Sequence, residues 1–432
     1  MSGKIIPNFD MNKLPEYVDS LLDKKVMIIG VGAVGSYVAE ILTKVCVVKL
    51  ILVDMDDFET ANIAKSSSAY IVDEDNGCNK AIALAKRLNH MLGDEFVHGI
   101  NSDITNFGPG AFAYFDVIIL ALDNYAAKIY SNQVWRQIPE DKRPLMIFGG
   151  TVGSSAHSNC IDGRESCLRC MLDEKWLENS MEKSSCTGIN YRSKYAVSEF
   201  SRTTGGASRI AADLMEEQCA GYLLGYKDMI NKRYMFNSYP NFGFMKATPI
   251  RKKNCPDCRD YLPIDNAEAL EDMDVLHTTV GEMLAVVRSK MPDDSFEILA
   301  SAVEFGNITY SNIIVNDHCR SCGRELKNLY RHEFRTRYTD MLCAECKASG
   351  KEASPVTTND IPAECIKAVT VDNCDAVLSA KTLYDIGFSL GSFIKVKHKS
   401  GGKSFLDCKI TYHIYYLEND QKLLNVITEL EG

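Results

Sequence analysis

Apolar residues in the first half of the chain fall into short unbroken blocks separated by stretches of helical spacing. Lys25 to Gly30 carries Val26, Met27, Ile28 and Ile29 in succession, which predicts a strand buried on both faces. A glycine-rich turn follows, and Ser36 to Val45 then takes a helical pattern. Leu50 to Asp54 repeats the buried-strand pattern and ends in acids. Asn79 to Leu92 spaces Ala, Leu and Met as a helix does, Phe115 to Ala121 is another apolar strand, and Leu145 to Phe148 predicts a fourth. Strands alternating with helices predict an α/β fold with a Rossmann-like, mostly parallel sheet.

The pattern changes after Cys258. Residues 262–315 mix a helical stretch (Val280 to Met291) with β-rich runs, and 316–350 are polar and cysteine-bearing. Residues 360–430 alternate like strands, as in Phe393-Ile-Lys-Val-Lys and Lys409-Ile-Thr-Tyr-His-Ile-Tyr-Tyr. The Ser, Thr, Gly and Pro between Lys347 and Asp360 read as a linker. Three units are expected: 1–262, 263–350 and 351–432, with a zinc ribbon and an α+β region following the parallel sheet.

Composition narrows the classes. At 432 residues with 46% hydrophobic and 25% charged positions, the chain is an ordinary globular sequence with room for two or three domains. A net charge of -10 argues against a general nucleic-acid binder, which needs a basic surface to displace counterions. Met1 to Tyr17 has no apolar core of signal-peptide length, and no run approaches the roughly 18 apolar residues of a membrane span. A cytoplasmic protein with no membrane or nucleic-acid partner is expected. Of its sixteen cysteines, eight sit in four Cys-x-x-Cys pairs, which in that compartment points to metal or thiol chemistry rather than disulfides.

Gly30-Val-Gly-Ala-Val-Gly35 lies where a strand ends and a helix begins. Gly30 permits the tight turn, Gly32 lets a phosphate approach backbone N–H groups, and Gly35 allows close helix–strand packing. The helix N-terminus then faces the anion with partial positive charge. Asp54 closes the next strand, where a carboxylate accepts ribose hydroxyls. These features alone would suit an NAD-dependent dehydrogenase.

The residues that follow redirect that reading. Val53-Asp-Met-Asp-Asp-Phe-Glu-Thr-Ala-Asn62-Ile-Ala-Lys65, then Lys80 at the start of a helix, then Ala121-Leu-Asp123-Asn124, is an order that resembles the MoeB/ThiF superfamily, which includes the ubiquitin-activating enzymes. The resemblance covers about residues 20–260, a whole ThiF-type adenylation domain. It implies that Asp54, with Asp56 beside it, holds the ribose, that Asn62, Lys65 and Lys80 contact the triphosphate of ATP, and that Asp123 binds Mg²⁺. Adenylation joins a carboxylate to the α-phosphate as pyrophosphate leaves, so the site needs cations around the phosphates and a carboxylate to seat magnesium. Three departures stand out. Lys65 replaces the family's arginine, Ser66 its frequent glutamine, and the N-terminus lacks an Arg-Tyr-x-Arg-Gln signature. Lys128 stands near the arginine common after the Asp-Asn motif.

Cys167-Leu-Arg-Cys170 and Cys255-Pro-Asp-Cys258 are 84 residues apart, and the resemblance implies that they share one structural Zn²⁺. Cys319-Arg-Ser-Cys322 and Cys343-Ala-Glu-Cys346 leave 20 residues between pairs, a zinc-ribbon spacing that predicts a second closed site by itself. Gly323 suits its knuckle turn, and His318 and His332 are expected as bystanders. Cys186, in Lys183-Ser-Ser-Cys186-Thr-Gly, resembles the cysteine on which ubiquitin-activating enzymes form a thioester, without the proline that precedes it in the family. Cys78, Cys160 and Cys219 are expected to be structural.

Ala380-Lys-Thr-Leu-Tyr-Asp-Ile-Gly387 before Phe393-Ile-Lys-Val resembles the Thr-Leu-x-x-Leu-Gly then apolar-strand pattern of β-grasp domains, with a fainter echo at Thr279-Val-Gly-Glu-Met-Leu. The resemblance therefore implies ATP-dependent adenylation of the C-terminal glycine of a ubiquitin-like or sulfur-carrier protein, with thioester formation on Cys186 as a candidate second step. Catalytic roles fall to Cys186, Asp123 and Lys80; the partners implied are that carrier, a conjugating enzyme and a second copy in a homodimer. The alternative is a catalytically quiet ThiF-like scaffold that docks a carrier or conjugating partner.

Overall fold

The computed structural model describes residues 21–417, apart from 22, 46–48, 59–76, 94, 173–204, 239–241, 271–272, 292–294, 302, 306–307, 334–337, 355–363 and 402–407. Its central strand, β1 (Lys25–Ile29), is joined by β2 (Lys49–Asp54), β3 (Val97–Asn101), β4 (Val117–Leu120) and β5 (Leu145–Val152) in the parallel order β3-β2-β1-β4-β5. Three antiparallel strands, β6 (Ser155–Ile161), β7 (Lys232–Asn237) and β8 (Gly243–Ala247), complete an eight-stranded sheet.

The unbroken apolar runs have a simple cause. Alternate side chains of each parallel strand enter two different cores. Val26, Ile28, Leu50, Leu52, Val117 and Ile119 pack beneath α1 (Gly35–Val45), α2 (Lys80–Leu92) and α6 (Gly205–Leu223). Met27, Ile29, Ile51, Val53, Ile118 and Leu120 face α3 (Pro109–Ala113) and α4 (Tyr125–Arg136). Both faces are covered, so neither tolerates a polar alternation. The run Phe115 to Ala121 yields only the shorter β4, and Asp116, just before it, accepts the Lys25 amide on its carboxylate at 2.9 Å. The fourth expected strand extends past Phe148 to Val152 through its antiparallel ladder with β6.

A short α5 (Leu168–Met171) and α7 (Pro256–Asp260) carry the first two cysteine pairs. Beyond them a five-stranded sheet runs in the order β17-β10-β18-β19-β9. It draws β9 (Glu268–Ala269) and β10 (Phe296–Leu299) from before residue 350, and β17 (Ala368–Val369), β18 (Phe393–Gly401) and β19 (Cys408–Tyr416) from after it. The intervening segment holds a hairpin of β11 (Val303–Phe305) and β12 (Ile308–Tyr310). It also holds β13 (Ile313–His318), which pairs with β14 (Glu325–Leu326), β15 (Arg331–His332) and β16 (Glu364–Ile366).

The helix on this second sheet is α8 (Val280–Lys290), which begins at a capping box. Thr279 Oγ1 accepts the Glu282 amide, and the Glu282 carboxylate accepts the Thr279 amide. Thr382 to Gly387, the stronger β-grasp echo, closes into a turn before β18 (Phe393–Gly401). Thr382 and Asp385 exchange side-chain-to-backbone hydrogen bonds, and Gly387 leaves the helical region with φ 104°. The fainter echo marks the helix.

The two sheets are sewn together by backbone. Gly108 N donates to Leu390 O at 2.6 Å, Leu390 N to Asn106 O at 2.8 Å and Gly110 N to Gly391 O at 2.8 Å. The Tyr130 hydroxyl lies 3.0 Å from both Thr105 O and Ser389 Oγ. No helix among the described residues is long and apolar enough to cross a membrane.

Candidate functional site

The chain leaves β1 toward β2 and β3 on one side, whereas β4 and β5 lie on the other. A crevice therefore opens at the carboxyl ends of β1 and β4, the place where open α/β sheets bind ligands. The glycine turn sits there. Gly30 adopts φ 84°, and a Cβ on it would stand 2.9 Å from Ala121 O, so only glycine fits. A Cβ on Gly35 would overlap the Gly30 carbonyl oxygen, whereas one on Gly32 would meet nothing within 4 Å. The first and third glycines thus serve packing, and the second faces open space.

Asp54 ends β2 against this turn. One carboxylate oxygen accepts the Val31 amide at 2.8 Å and the other the Asp56 amide at 2.9 Å. Burial raises the Asp54 carboxyl above its ordinary value, opposed by those two amides and by the Lys80 charge. Lys80, the first residue of α2, places Nζ 3.0 Å from Asp56 Oδ2; its side chain is 15% exposed against 61% for Asp56. The chain of bonds is short: Lys80 to Asp56, Asp56 to Asp54 and Asp54 to Val31, while Ala121, two residues before Asp123, donates its amide to Ile29 O at 2.9 Å.

Asp123 is exposed at the head of α4. Its charge supports Lys128, whose ammonium is pushed down to about 8 by burial. Lys128 in turn acts on His157 of β6. Burial, with the Lys128 and Arg233 charges, pushes that imidazole down to about 4. At neutral pH the pair is an ammonium beside an uncharged histidine.

The structure thus brings Gly30, Gly32, Gly35, Asp54, Asp56, Lys80 and Asp123 to one edge of the sheet. Asn62, Lys65 and Cys186 lie outside the described residues. Two residues near the crevice were not singled out from the sequence. Asn79 was read only as helix spacing, although an Asn before an apolar helical run is a capping signal. His157 gave no signal, because only the β5–β6 register, Gly150 opposite His157, carries it to this edge.

Both cysteine sets assemble. Within each, the four sulfurs lie within 4.8 Å of one another. Cys167 Sγ is 3.7 Å from Cys170, 3.6 Å from Cys255 and 3.4 Å from Cys258, and Cys170 is 3.6 Å from Cys258. Cys322 is 3.7 Å from Cys343. A tetrahedral ion with metal–sulfur bonds of about 2.3 Å has edges of about 3.8 Å, whereas a disulfide is about 2.05 Å. The donor set fits a tetrahedral thiolate-bound metal.

The first set is gathered by Asn132 of α4. Its Oδ1 accepts the Leu168 amide at 3.1 Å, and its Nδ2 donates to buried Asp257 at 2.5 Å, so one amide holds both cysteine loops. At the second set Gly323, φ 72°, makes the knuckle turn. His332 is buried with Nε2 2.8 Å from Ser301 O, and His318 is exposed; neither belongs to the sulfur group. Cys160 and Cys219 are fully buried, and burial pushes the Cys160 thiol up to about 12.

A model described as the ThiF family matches residues 8–259. The chain is similar to the ubiquitin-like modifier-activating enzyme 5 of Culex quinquefasciatus, 26% identical over 262 residues that cover 55% of this chain and 60% of that protein. Its similarity to the Drosophila ananassae protein of the same name is 30% over 191 residues, covering 40% and 46%. It therefore spans about half to three-fifths of the length of these relatives. Among solved structures, E. coli MccB with ATP is 21% identical over 56% of this chain and 68% of that one, with a TM-score of 0.44.

Proposed function

The chain belongs to the ThiF family, and from that premise we propose that it is an adenylyltransferase that activates the C-terminal glycine carboxylate of a ubiquitin-like or sulfur-carrier protein with ATP. The observation that carries the reading is the junction at the sheet edge, where Lys80, Asp56, Asp54 and the Gly30 turn are linked by direct bonds. A carboxylate at the ribose position, amides at an open glycine turn and a cation one helix away are what a nucleoside triphosphate requires.

In this reading ATP lies over Gly32 with its ribose at Asp54. Lys80 leaves Asp56 for the phosphates, joined by Asn62 and Lys65. Asp123 is the residue that would hold Mg²⁺, which when bound neutralises phosphate charge. The carrier's carboxylate oxygen attacks the α-phosphorus, the bond to the bridging oxygen breaks, and pyrophosphate leaves. Little covalent work falls to side chains, so positioning and charge dominate. As a second step, the Cys186 thiolate attacks the acyl carbon and AMP departs, leaving the carrier as a thioester.

The same reading gives each cysteine set one structural Zn²⁺, which closes a loop and performs no chemistry. The sheet formed by β17, β10, β18, β19 and β9 is assigned to docking a conjugating partner, and the active form is assigned as a homodimer in the cytoplasm. The boundary at 262 is kept as the end of the adenylation domain, whereas the expected break at 350 falls inside the second sheet, which takes strands from both sides of it.

Pyrophosphate exchange into ATP, dependent on a Gly-ending carrier, tests the first step. Lys80→Ala and Asp123→Ala should each lower it about a hundredfold or more. Exchange unchanged in both variants removes the nucleotide assignment, and failure of the native chain to bind ATP with Mg²⁺ leaves the scaffold reading. A carrier adduct cleaved by thiol on a gel, and lost in Cys186→Ala, tests the second step.

A further inference from the structure

Asn79 uses every hydrogen-bonding group of its side chain, and the two halves of the amide do different things. Its Oδ1 accepts the Ala81 amide at 3.0 Å and the Ile82 amide at 3.2 Å, which caps α2. Its Nδ2 donates to Asp54 O at 2.8 Å and Asp56 O at 3.1 Å, carbonyls at the end of β2 and just beyond it. Capping needs only the oxygen. Serine, threonine or aspartate would serve as well. The donating half is the part that a cap does not require, and Asn79 is buried at 6% exposure, so its geometry is held by the protein rather than by water.

We propose that Asn79 is a positioning residue of the nucleotide site, fixing the carboxylate loop 54–56 to the helix start that presents Lys80; this rests on the nucleotide reading given above. The loop and the helix also meet through backbone. Lys80 N donates to Asp56 O at 3.0 Å, and Phe58 N to Cys78 O at 2.7 Å. Both of these bonds join residues beyond the end of β2. The Asn79 amide also reaches Asp54 O, so it ties the helix start to the last residue of β2 as well as to the loop. A ribose contact and a phosphate contact are useful together only at a fixed separation, because misplacement of one by about an ångström forfeits much of the gain from the other.

The test separates the halves of the amide. In the full-length chain, Asn79→Ser keeps an oxygen for the cap but cannot reach both carbonyls, whereas Asn79→Ala loses both functions. Asn79→Ser should melt within about 2 °C of the native protein and Asn79→Ala a few degrees lower. By calorimetric titration with ATP and Mg²⁺, both should bind about tenfold more weakly than native. In a Lys80→Met background, Asn79→Ser should have a much smaller effect, since the lysine it positions is gone. Native-like ATP affinity in Asn79→Ser, or a full tenfold loss in the Lys80→Met background, overturns the proposal while leaving the nucleotide site intact. Absence of ATP binding by the native chain overturns both. If Asn79→Ser melts as low as Asn79→Ala, the Lys80→Met comparison alone decides, with non-additivity supporting the positioning role and additivity ending it.

Discussion

The two cysteine sets have the same ligands and the same Cys-x-x-Cys pairing, yet they sit in different physical settings. Cys167, Cys170 and Cys255 belong to the large apolar core shared with Trp135, Phe112 and Phe148. Cys319, Cys343 and Cys346 form a small cluster of their own, backed among the described residues by Leu326 and Leu342, with Cys322 exposed. In the first setting, a bound metal would reinforce a core that packing and the Asn132 bridge already hold. In the second, the sulfurs have little apolar cover of their own among the described residues, so a bound ion would supply most of the free energy that orders the two knuckles. Identical motifs can therefore carry unequal burdens.

Removing the metal should expose the difference most sharply. With a strong chelator, the amides of Cys319, Gly323, Lys347 and Ser349, bonded within the ribbon loops, should lose hydrogen-exchange protection about a thousandfold or more, while β1–β5 keep theirs. Equal loss in both regions breaks the comparison. A smaller effect is expected at Asn132. Asn132→Ala leaves Asp257, whose carboxyl burial has pushed up to about 6, without its 2.5 Å partner. That should destabilise the sheet body by about 3 kcal/mol with the ribbon zinc retained. A cost below about 1 kcal/mol in urea unfolding would mean that the metal, not the amide, gathers the first site. Least of all, Cys322→Ser should bring bound zinc toward one ion per chain under chelator competition, yet shift the melting of the large sheet by no more than about 2 °C. A larger shift would show that the ribbon supports the main core after all.

Legibility followed the range of the interactions. The parallel sheet could be read because burial on both faces forces continuous apolar runs, and Val26 to Ile29 has no other economical explanation. The glycine turn and Asp54 were legible as a local motif, with a steric reason at Gly30 and Gly35 and a hydrogen-bonding one at Asp54. The ribbon cysteines were legible because 20 residues close a loop unaided. The helix from Val280 was legible from its spacing and begins at the Thr279 capping box, whereas the reciprocal Thr382–Asp385 turn depends on side-chain bonds that no periodicity announces.

The sequence by itself determined the α/β class, the edge at which a phosphate can approach, and the chemistry of the second thiolate set, since each depends on neighbours in the chain. Tertiary structure alone decided three further matters. It brought Cys167 and Cys255 together across 88 positions through Asn132, placed His157 beside Lys128 through a strand register, and built one sheet from strands on both sides of residue 350. The reason is common to all three: pairing of distant backbone and burial of a shared polar group are properties of the closed fold, and no window of sequence contains both partners.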